Sequence, residues 1–265
     1  MTNIDLGLAG KVVLVTGGVR GVGAGISAVF REAGAVVVTC ARRAADEGSE
    51  VADLDFHSVD LRDADAVREM VDAIVERHGR LDVVVNNAGG APFALAADAS
   101  ANFHSKIVAL NLLSALTVAQ EAHRVMQPGG GAIVNISSVS GHRPSPGTAS
   151  YGAAKAGVDS LTQSLAVEWA PAVRVNSVVV GPVKTEQAEL HYGDADGVAA
   201  VDATIPRGRL AEPRGGGVAA VEAWFGAAVG VAAFLASPLA AYITGAELLV
   251  HGGGEKPAFL SASTA

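Results

Sequence analysis

The fold is decided by the stretch Lys11-Val-Val-Leu-Val-Thr-Gly-Gly-Val-Arg-Gly-Val-Gly23, in which an apolar run passes through glycines into a helical pattern. The first six residues are rich in β-branched side chains and predict a short buried strand. From Gly21 to Ala33 the apolar residues recur at the spacing of one helix face, and Gly34 ends the pattern. The stretch therefore predicts a strand, a tight glycine turn and a helix in succession.

Gly17, Gly21 and Gly23 form a G-x-x-x-G-x-G pattern in this turn. Glycine has no Cβ, so the backbone can lie close to a pyrophosphate at the positive N-terminus of the helix. An ordinary turn between a strand and a helix is the alternative. The position of the pattern, directly after a predicted strand and before a predicted helix, favours a phosphate-binding loop.

Strand and helix patterns alternate along the rest of the chain. Apolar runs predict strands at Lys11–Thr16, Ala35–Cys40, Asp55–Val59, Leu81–Asn86, Gly131–Ser138, Val173–Val180 and Ala246–Val250. Helical spacing covers Gly21–Ala33, Ala64–His78, Phe103–Met126, Tyr151–Trp169 and Ala219–Ala236. Strands that are apolar on both faces are typical of a parallel sheet covered by helices on both sides. We therefore expect a single doubly wound α/β domain of Rossmann type over residues 1–265, with a seven-stranded parallel sheet and helices on both faces.

The composition excludes several classes of protein. Half of the 265 residues are apolar, which is too many for a disordered chain. Cys40 is the single cysteine, so no intrachain disulfide can form, and a net charge of −8 with scattered cations argues against nucleic-acid binding. Met1–Gly10 lacks the basic and apolar regions of a secretory signal. The run Gly217–Ser237 consists mostly of small residues and contains Glu222, so we expect a cytoplasmic protein with no membrane contact.

The residues after the second strand bear on the type of nucleotide. A carboxylate there would bind the 2′-hydroxyl of an adenosine ribose and repel a 2′-phosphate. This chain has Ala41 at that point, followed by Arg42 and Arg43, and Arg20 adds a cation in the glycine turn. Guanidinium groups match phosphate geometry, so the pattern favours NADP(H), with NAD(H) as the alternative. Asp60, after the third strand, is placed to meet the adenine amino group, unless it is an ordinary loop carboxylate.

Three polar side chains are candidates for proton transfer. Tyr151 and Lys155 lie four residues apart at the start of a predicted helix, which places both side chains on one face. An ammonium beside a phenol favours the phenolate, so the tyrosine could exchange a proton with a substrate oxygen. Ser138 ends the fifth predicted strand, and its hydroxyl could hydrogen-bond the same oxygen. Ser137 is the rival for this role, and only one of the two faces the site because adjacent strand residues point to opposite faces.

In these segments the chain resembles the short-chain dehydrogenase/reductase family of nicotinamide-dependent oxidoreductases. The matching motifs are Thr16-Gly-Gly-Val-Arg-Gly-Val-Gly23, Asn86-Asn-Ala-Gly89, Asn111, Ile133-Val-Asn-Ile-Ser-Ser138, Tyr151-Gly-Ala-Ala-Lys155 and Arg174-Val-Asn176. The likeness extends from about Lys11 to Gly254. It implies that Tyr151 is the general acid/base, that Ser138 aids it by hydrogen bonding, and that Lys155 also binds the ribose hydroxyls of the nicotinamide.

The resemblance implies further roles. Asn111 would hold a water molecule in a proton relay to solvent; the alternative is a buried side chain that bends its helix. The implied cofactor contacts also include Val22, Leu61, Asn87, Ala88, Gly89, Gly181, Val183 and Thr185. Asn86 and Asn87 are in addition expected to bond nearby backbone, as asparagine does at strand ends. No metal site is expected because the seven histidines show no metal-ligand spacing, and His142 is expected to be a solvated loop residue.

Two segments depart from the family pattern. The usual Pro-Gly after the sixth strand is Val180-Gly-Pro182 here, which keeps the glycine. After Arg209-Leu-Ala-Glu-Pro213 the family passes within a few residues into a helix, whereas residues 214–227 add glycine- and alanine-rich length. Residues 184–212 are expected to cover the substrate. The apolar pocket expected there is lined by Leu190, His191, Tyr192 and Ile205.

These features predict an NADP(H)-preferring oxidoreductase that moves a hydride between the nicotinamide and a carbonyl or secondary alcohol of a small lipophilic molecule. One alternative is the reduction of a 3-oxoacyl thioester on an acidic carrier protein, which the charge of −8 disfavours. A second is a non-catalytic NADP(H) sensor, against which the intact set of Ser138, Tyr151 and Lys155 argues. The resemblance also implies a homotetramer whose interfaces bury the helices containing Asn111 and Tyr151.

Overall fold

The computed structural model describes residues 5–127, 129–184, 193–212 and 228–256. The strands in these ranges form one seven-stranded sheet in which all neighbours are parallel. They are β1 Val12–Thr16, β2 Val36–Ala41, β3 Asp55–Ser58, β4 Val83–Asn86, β5 Gly131–Ser138, β6 Val173–Val180 and β7 Glu247–Val250. Their order across the sheet is β3-β2-β1-β4-β5-β6-β7. The strand order changes direction between β1 and β4, and ligands of doubly wound sheets bind in the crevice at the carboxyl ends of such strands.

Seven helices in the described ranges accompany the sheet. They are α1 Gly21–Glu32, α2 Ala64–His78, α3 Ala101–Val108, α4 Ser114–Met126, α5 Ala149–Glu168, α6 Ala195–Thr204 and α7 Ala228–Ala236. The sequence predicts the ends of α1, α2 and α5, the start of α3 and the end of α4 to within about two residues, as is usual for helix boundaries, but it does not predict α6. None of these helices has the length and apolar character that a membrane crossing requires.

Both faces of the sheet are buried under helices. Val13 and Val15 of β1 pack with α1 and α7 on one face, whereas Val12 and Leu14 of the same strand pack with α2, α4 and α5 on the other. Successive side chains of a strand point to opposite faces, so a strand that is apolar throughout needs a cover on each side. The predicted doubly wound parallel sheet is confirmed.

One predicted helix is wrong in its middle. The expected continuous helix Phe103–Met126 is interrupted by a π-helical turn over Ala109–Leu113. Asn111 lies in this turn, and its Nδ2 donates to the carbonyl of Ile107 at 2.9 Å. That carbonyl is the regular backbone acceptor for residue 111 of an α-helix, so the side chain competes with the backbone and the turn widens. The apolar spacing continues across the turn, which is why the sequence pattern does not show it.

The predictions for two other segments are only partly covered by the described residues. The extra length at 214–227 and the first half of the helix predicted from Ala219 lie outside them. Within the predicted substrate-covering segment, Leu190, His191 and Tyr192 also lie outside. Ile205 is described and is buried against Gly252, where an added Cβ would come within 2.8 Å of its Cγ2. It packs in the protein interior and does not line the main cleft described below.

Arg174 connects β6 to the carboxyl end of α7. Its guanidinium donates hydrogen bonds to four backbone carbonyls, those of Leu235 at 2.7 Å, Ala236 at 3.3 Å, Ser237 at 3.2 Å and Ile243 at 3.3 Å. The last carbonyls of a helix have no partner within the helix and carry partial negative charge. A partly buried cation therefore stabilises this end of α7, and the Arg174 motif has a structural role.

Arg174→Met is expected to lower the free energy of unfolding by about 2–4 kcal/mol, because the carbonyls at the end of α7 lose their donor. Urea denaturation measures the loss. The control is Arg31→Met, which removes an arginine that pairs with Asp53 at the surface, and its effect is expected to stay below about 1 kcal/mol. Equal losses in the two variants would contradict the structural role of Arg174.

Candidate active site

The loop between β1 and α1 approaches itself too closely for side chains. Gly17 and Gly21 have φ angles of +63° and +52°, in the left-handed region that favours glycine. A Cβ on Gly23 would overlap the carbonyl oxygen of Gly17. Gly18, which the sequence pattern does not single out, is equally confined, because a Cβ there would lie 2.6 Å from the hydroxyl of Ser27. The loop is thus a glycine cradle at the N-terminus of α1, as binding of a pyrophosphate requires.

The loop after β4 is held against this cradle by hydrogen bonds. The hydroxyl of Thr16 accepts from the backbone N–H groups of Asn87 and Ala88, each at 3.0 Å. The side-chain amide of Asn87 donates to the carbonyls of Thr16 at 3.0 Å and Gly17 at 3.3 Å. The expected structural role of Asn87 is therefore confirmed, and its loop lies beside the glycine cradle.

An open cleft of about 1140 Å³ lies at the carboxyl ends of the strands. The predicted site residues that line it are Gly17, Arg20, Val22, Gly23, Arg42, Arg43, Asp60, Leu61, Asn87, Ala88, Gly89, Ser138, Tyr151, Lys155, Gly181 and Val183. Gly21 and Asn111 are not among the lining residues, and Thr185 lies outside the described residues. A cleft of this size that opens onto the glycine cradle fits an extended dinucleotide.

Arginines dominate one end of the cleft. Strand β2 ends at Ala41, so no carboxylate stands directly at its carboxyl end. Arg20, Arg42 and Arg43 are exposed on the lining, and their guanidiniums form no ion pair with the part of the chain that is described. Asp46, which sequence reasoning did not consider, also lines this end. The three arginines outnumber it, so this end favours a bound anion.

Asp60 lies at the same end but is already paired. Its Oδ1 accepts from Nε of Arg62 at 2.8 Å, and its Oδ2 lies 2.5 Å from Nη2. The hydrogen bonds from Arg62 hold the pKa of Asp60 at about 2, and the charge of Arg42 acts in the same direction. The side chain of Asp60 therefore stays ionised and paired with Arg62 at neutral pH.

Ser138, Tyr151 and Lys155 meet on one wall of the cleft. Tyr151 and Lys155 follow each other by one turn on α5, with Nζ of Lys155 5.6 Å from the centroid of the Tyr151 ring. Ser138 is the last residue of β5, and its hydroxyl oxygen accepts a hydrogen bond from the backbone of Ser140 at 3.2 Å. The turn that follows packs tightly on α5, since a Cβ on Gly152 would lie 2.6 Å from the Ser140 carbonyl. The predicted proton-transfer groups are thus brought together.

Lys155 is a buried cation, with 4% of its surface exposed. Its Nζ donates to the carbonyl of Ile136 at 2.7 Å. Burial lowers the pKa of Lys155 to about 8, while the carboxylate of Asp159 acts in the opposite direction. At pH 7 the side chain is mainly an ammonium, and its charge is lost as the pH rises through about 8.

Asn111 lies behind the loop after β4. Its Oδ1 accepts from the backbone N–H of Gly90 at 2.7 Å, and its Nδ2 donates to the carbonyls of Gly90 at 3.0 Å and Ile107 at 2.9 Å. A Cβ on Gly89 would come within 2.5 Å of the same Oδ1. Asn111 is therefore a buried side chain that bends its helix and supports the loop, as the alternative interpretation expects, and its relay role stays a prediction.

Ser137 and Ser138 face different partners. The hydroxyl of Ser137 donates to Oδ2 of Asp159 at 2.7 Å, whereas Oδ1 of Asp159 accepts from the hydroxyl of Ser177 at 2.9 Å. Nε2 of His142 lies 3.0 Å from Oδ2 of Asp159. The placement agrees with Ser138, and not Ser137, as the serine of the site.

Sequence reasoning missed Asp159, although its position four residues after Lys155 is a usable signal, since it places both on one face of α5. His142 is exposed in the turn after β5, as expected of a solvated loop residue, and it lies 3.6 Å from Glu247. His142, Asp159 and Glu247 each place one possible metal ligand within 4.8 Å of the others. Of these three, His142 and Asp159 are joined by a hydrogen bond of 3.0 Å.

The cleft beyond Tyr151 is lined by one aromatic ring and several hydroxyls. Ser140, Ser145 and Thr148 contribute the hydroxyls. The ring of Phe93 lies against Gly147, where a Cβ would overlap it. Arg143 also lines this part, and its guanidinium pairs with Glu255 at 2.6 Å. The substrate end of the cleft therefore combines a flat apolar surface with hydrogen-bonding groups.

Comparisons with known proteins agree with this geometry. Residues 17–255 match a family described as Enoyl-(Acyl carrier protein) reductase. An L-fucose dehydrogenase of Bos taurus is 39% identical over 256 residues, which are 93% of this chain and 90% of that protein. An uncharacterized short-chain type dehydrogenase/reductase of Sinorhizobium fredii is 36% identical over 255 residues, 92% of this chain but 43% of that longer protein. The ligand-free aldohexose dehydrogenase of Thermoplasma acidophilum superposes with a TM-score of 0.84 at 29% identity, covering 94% of this chain and 96% of that chain.

The family match spans the glycine cradle, the arginine end and the wall that carries Tyr151. The sequence likeness and the structural likeness therefore extend over the whole cleft. They agree with the resemblance that the motifs show. The chain belongs to the short-chain dehydrogenase/reductase family, whose members are NAD(P)-dependent oxidoreductases.

Proposed function

We propose that the protein is an NADP(H)-preferring enzyme that interconverts a secondary alcohol and its carbonyl compound in a small molecule. The observation that carries the proposal is the meeting of Ser138, Tyr151 and Lys155 on one wall of a cleft that opens onto the glycine cradle. The nicotinamide, when bound, donates or accepts the hydride. The residues of the chain align the substrate and handle the proton.

Tyr151 is the proposed general acid/base. Its phenol donates a proton to the carbonyl oxygen during reduction, and its phenolate accepts one from the alcohol during oxidation. Ser138 donates a hydrogen bond to the same oxygen as negative charge develops there. This hydroxyl can donate because its oxygen is the acceptor in the contact with Ser140. The ammonium of Lys155 favours the phenolate and would bind the ribose hydroxyls of the nicotinamide.

The proposed cofactor contacts follow the cleft. The glycine cradle would bind the pyrophosphate, together with Thr185. Asn87, Ala88 and Gly89 would line the middle of the dinucleotide. The other proposed contacts are Gly181 and Val183 at the nicotinamide, Val22 and Leu61 along the cleft, and Asp60 at the adenine. Asp60 would act there while paired with Arg62.

The preference for NADP(H) rests on charge. A 2′-phosphate at the end of β2 would meet the guanidiniums of Arg42 and Arg43, with Arg20 across the loop. No ion pair within the described chain competes for these groups. Two carboxylates line this end of the cleft. Asp60 is paired with Arg62, so among the described residues only Asp46 is left to repel a 2′-phosphate.

The substrate is proposed to be a small, uncharged alcohol or ketone. We expect this substrate to be lipophilic because residues 184–212 contain Leu190 and Tyr192, which lie outside the described residues. The hydroxyls of Ser140, Ser145 and Thr148 favour a polyhydroxylated substrate as a second candidate, in line with the names L-fucose dehydrogenase and aldohexose dehydrogenase. A carrier-bound thioester, which the family description suggests, is disfavoured by the net charge of −8. A panel of aldoses, polyols, aliphatic ketones and an acyl thioester discriminates these classes.

Tyr151→Phe is expected to lower kcat by at least about a hundredfold, because the ring stays and the proton donor is lost. NADPH oxidation with the most active substrate of the panel measures the change. The dissociation constant for NADPH, from fluorescence titration, is expected to change less than about threefold. Tyr242→Phe removes the same hydroxyl at a fully exposed position and is the control. Full activity of Tyr151→Phe would refute the mechanism, and binding without turnover in the wild type would favour the sensor.

Replacing both Arg42 and Arg43 by alanine is expected to weaken NADPH binding by about 10- to 100-fold, since two charge-assisted contacts to the 2′-phosphate are lost. NADH binding is expected to change less than about threefold. Titrations with both cofactors give the ratio. The matched control removes Arg68 and Arg77, two arginines of α2 that do not line the cleft. Equal effects on the two cofactors would contradict the proposed preference.

We further propose a cytoplasmic homotetramer of single-domain subunits. Leu113, which ends the π-helical turn containing Asn111, and Val167 near the end of α5 are exposed apolar residues on the helices expected at the interfaces. Light scattering after size exclusion is expected to give four times the chain mass of 26.5 kDa. Glutamate at both positions is expected to reduce the mass, because buried unpaired carboxylates oppose association. A monomeric wild type would contradict the proposal.

A further inference from the structure

One buried carboxylate has no role in the mechanism proposed above. Asp159 is 5% exposed, and it lies on α5 one turn after Lys155. It does not line the cleft, so it cannot touch a substrate there. An ionised carboxylate away from water is costly unless hydrogen bonds satisfy it, which makes its partners informative.

The partners of Asp159 come from three separate elements. Ser137 of β5 donates to Oδ2 at 2.7 Å, and Ser177 of β6 donates to Oδ1 at 2.9 Å. His142, in the turn after β5, lies 3.0 Å from Oδ2. One carboxylate on α5 therefore joins the carboxyl end of β5, the middle of β6 and the turn between β5 and α5.

Ser137 is directly followed by Ser138, and the two side chains point to opposite faces of the strand. A hydrogen bond that fixes Ser137 against α5 also fixes the direction of Ser138 relative to that helix. Tyr151 and Lys155 project from the same helix. The geometry between serine, tyrosine and lysine thus depends on the packing of β5 against α5, to which the hydrogen bond from Ser137 to Asp159 contributes together with that from Lys155 to the Ile136 carbonyl.

We propose that Asp159 is a positioning residue of the proton-transfer site, which ties the Ser138 end of β5 to the helix of Tyr151 and Lys155. The inference rests on the proposed function, because it assigns Asp159 a part in the proton transfer by Tyr151. Asp159 itself lies outside the cleft and acts by positioning β5 and α5, which carry Ser138, Tyr151 and Lys155.

The charges around Asp159 determine its effect on pH dependence. His142 faces it from the turn after β5, and Glu247 of β7 faces it across His142. Lys155 precedes it by one turn on α5, whereas β5 and β6 contribute the neutral hydroxyls of Ser137 and Ser177. The carboxylate opposes the loss of the Lys155 proton, which burial favours. Removing the negative charge therefore shifts the loss of the ammonium to lower pH.

Asp159→Asn tests the proposal in the full-length protein. Asparagine keeps the size of the side chain, and the serine hydroxyls can rotate to meet an amide, so the packing is retained. We expect kcat to fall by about tenfold or more, and the alkaline limb of its pH profile to move down by about one pH unit. The dissociation constant for NADPH is expected to stay within about threefold of the wild-type value. Ser137→Ala, which keeps the charge, is expected to lower kcat without moving the alkaline limb.

The matched control is Asp72→Asn, which removes one carboxylate from the surface of α2, where it pairs with Arg124. Its kcat and pH profile are expected to match the wild type. An Asp159→Asn variant with a lower melting temperature but an unchanged kcat and alkaline limb would overturn the proposal and leave a purely structural carboxylate. If Asp159→Asn is poorly folded, His142→Asn carries the test, because it removes one partner of Asp159 at the exposed edge of the cluster. We expect kcat of His142→Asn to fall by less than the tenfold expected for Asp159→Asn. A His142→Asn variant with the kcat of the wild type would overturn the proposal. Full activity of Tyr151→Phe would refute the proposed function instead, so the two failures are distinguishable.

Discussion

The site depends on the close contact between the glycine turn after β1 and the loop after β4. These strands are neighbours in the sheet but lie far apart in the chain, so side chains must hold their loops together. Thr16 and Asn87 do this through hydrogen bonds between hydroxyl, amide and backbone. Gly23 must remain glycine because its Cα lies against the Gly17 carbonyl. The glycine cradle and the Ala88–Gly89 lining are therefore held together by hydrogen bonds and form one continuous surface of the cleft.

The opposite wall of the cleft depends on charges that the fold buries. Lys155 and Asp159 lie one turn apart on α5, and each is hydrogen-bonded by groups other than its neighbour. An isolated ion in such a place costs several kcal/mol, and the charge of Asp159 offsets part of that cost for Lys155. Burial lowers the pKa of the lysine to about 8, and the carboxylate limits that shift. This wall is therefore held by buried hydrogen bonds and carries a cation whose charge is lost as the pH rises through about 8.

The sequence predicts the sheet well because its strands are apolar on both faces, a pattern that only a covered parallel sheet explains. Helical spacing, a local rule, predicts that Tyr151 and Lys155 share one face of α5, whereas strand alternation leaves Ser137 and Ser138 open and the family resemblance selects Ser138. The π-helical turn is not predictable in this way, because a side-chain hydrogen bond from Asn111 causes it and leaves the apolar spacing intact. The partners of Asp159 lie on other elements, so their contact appears only after the sheet has formed. Ile205 shows the same limit, because its burial depends on Gly252, which is distant in the chain.

The two adjacent serines at the end of β5 look redundant in the sequence, yet the structure gives them separate partners. Alternation along the strand directs the Ser138 hydroxyl to the turn beside the cleft and the Ser137 hydroxyl to the carboxylate of Asp159. Helix α5 is used in the same way, with Tyr151 and Lys155 on the cleft wall and Asp159 one turn further in. A shift of β5 by one residue would exchange the two hydroxyls, breaking the buried cluster and the proton-transfer site together. The hydrogen bonds of Asp159 therefore oppose any such shift, and the buried cluster selects the register in which Ser138 can act.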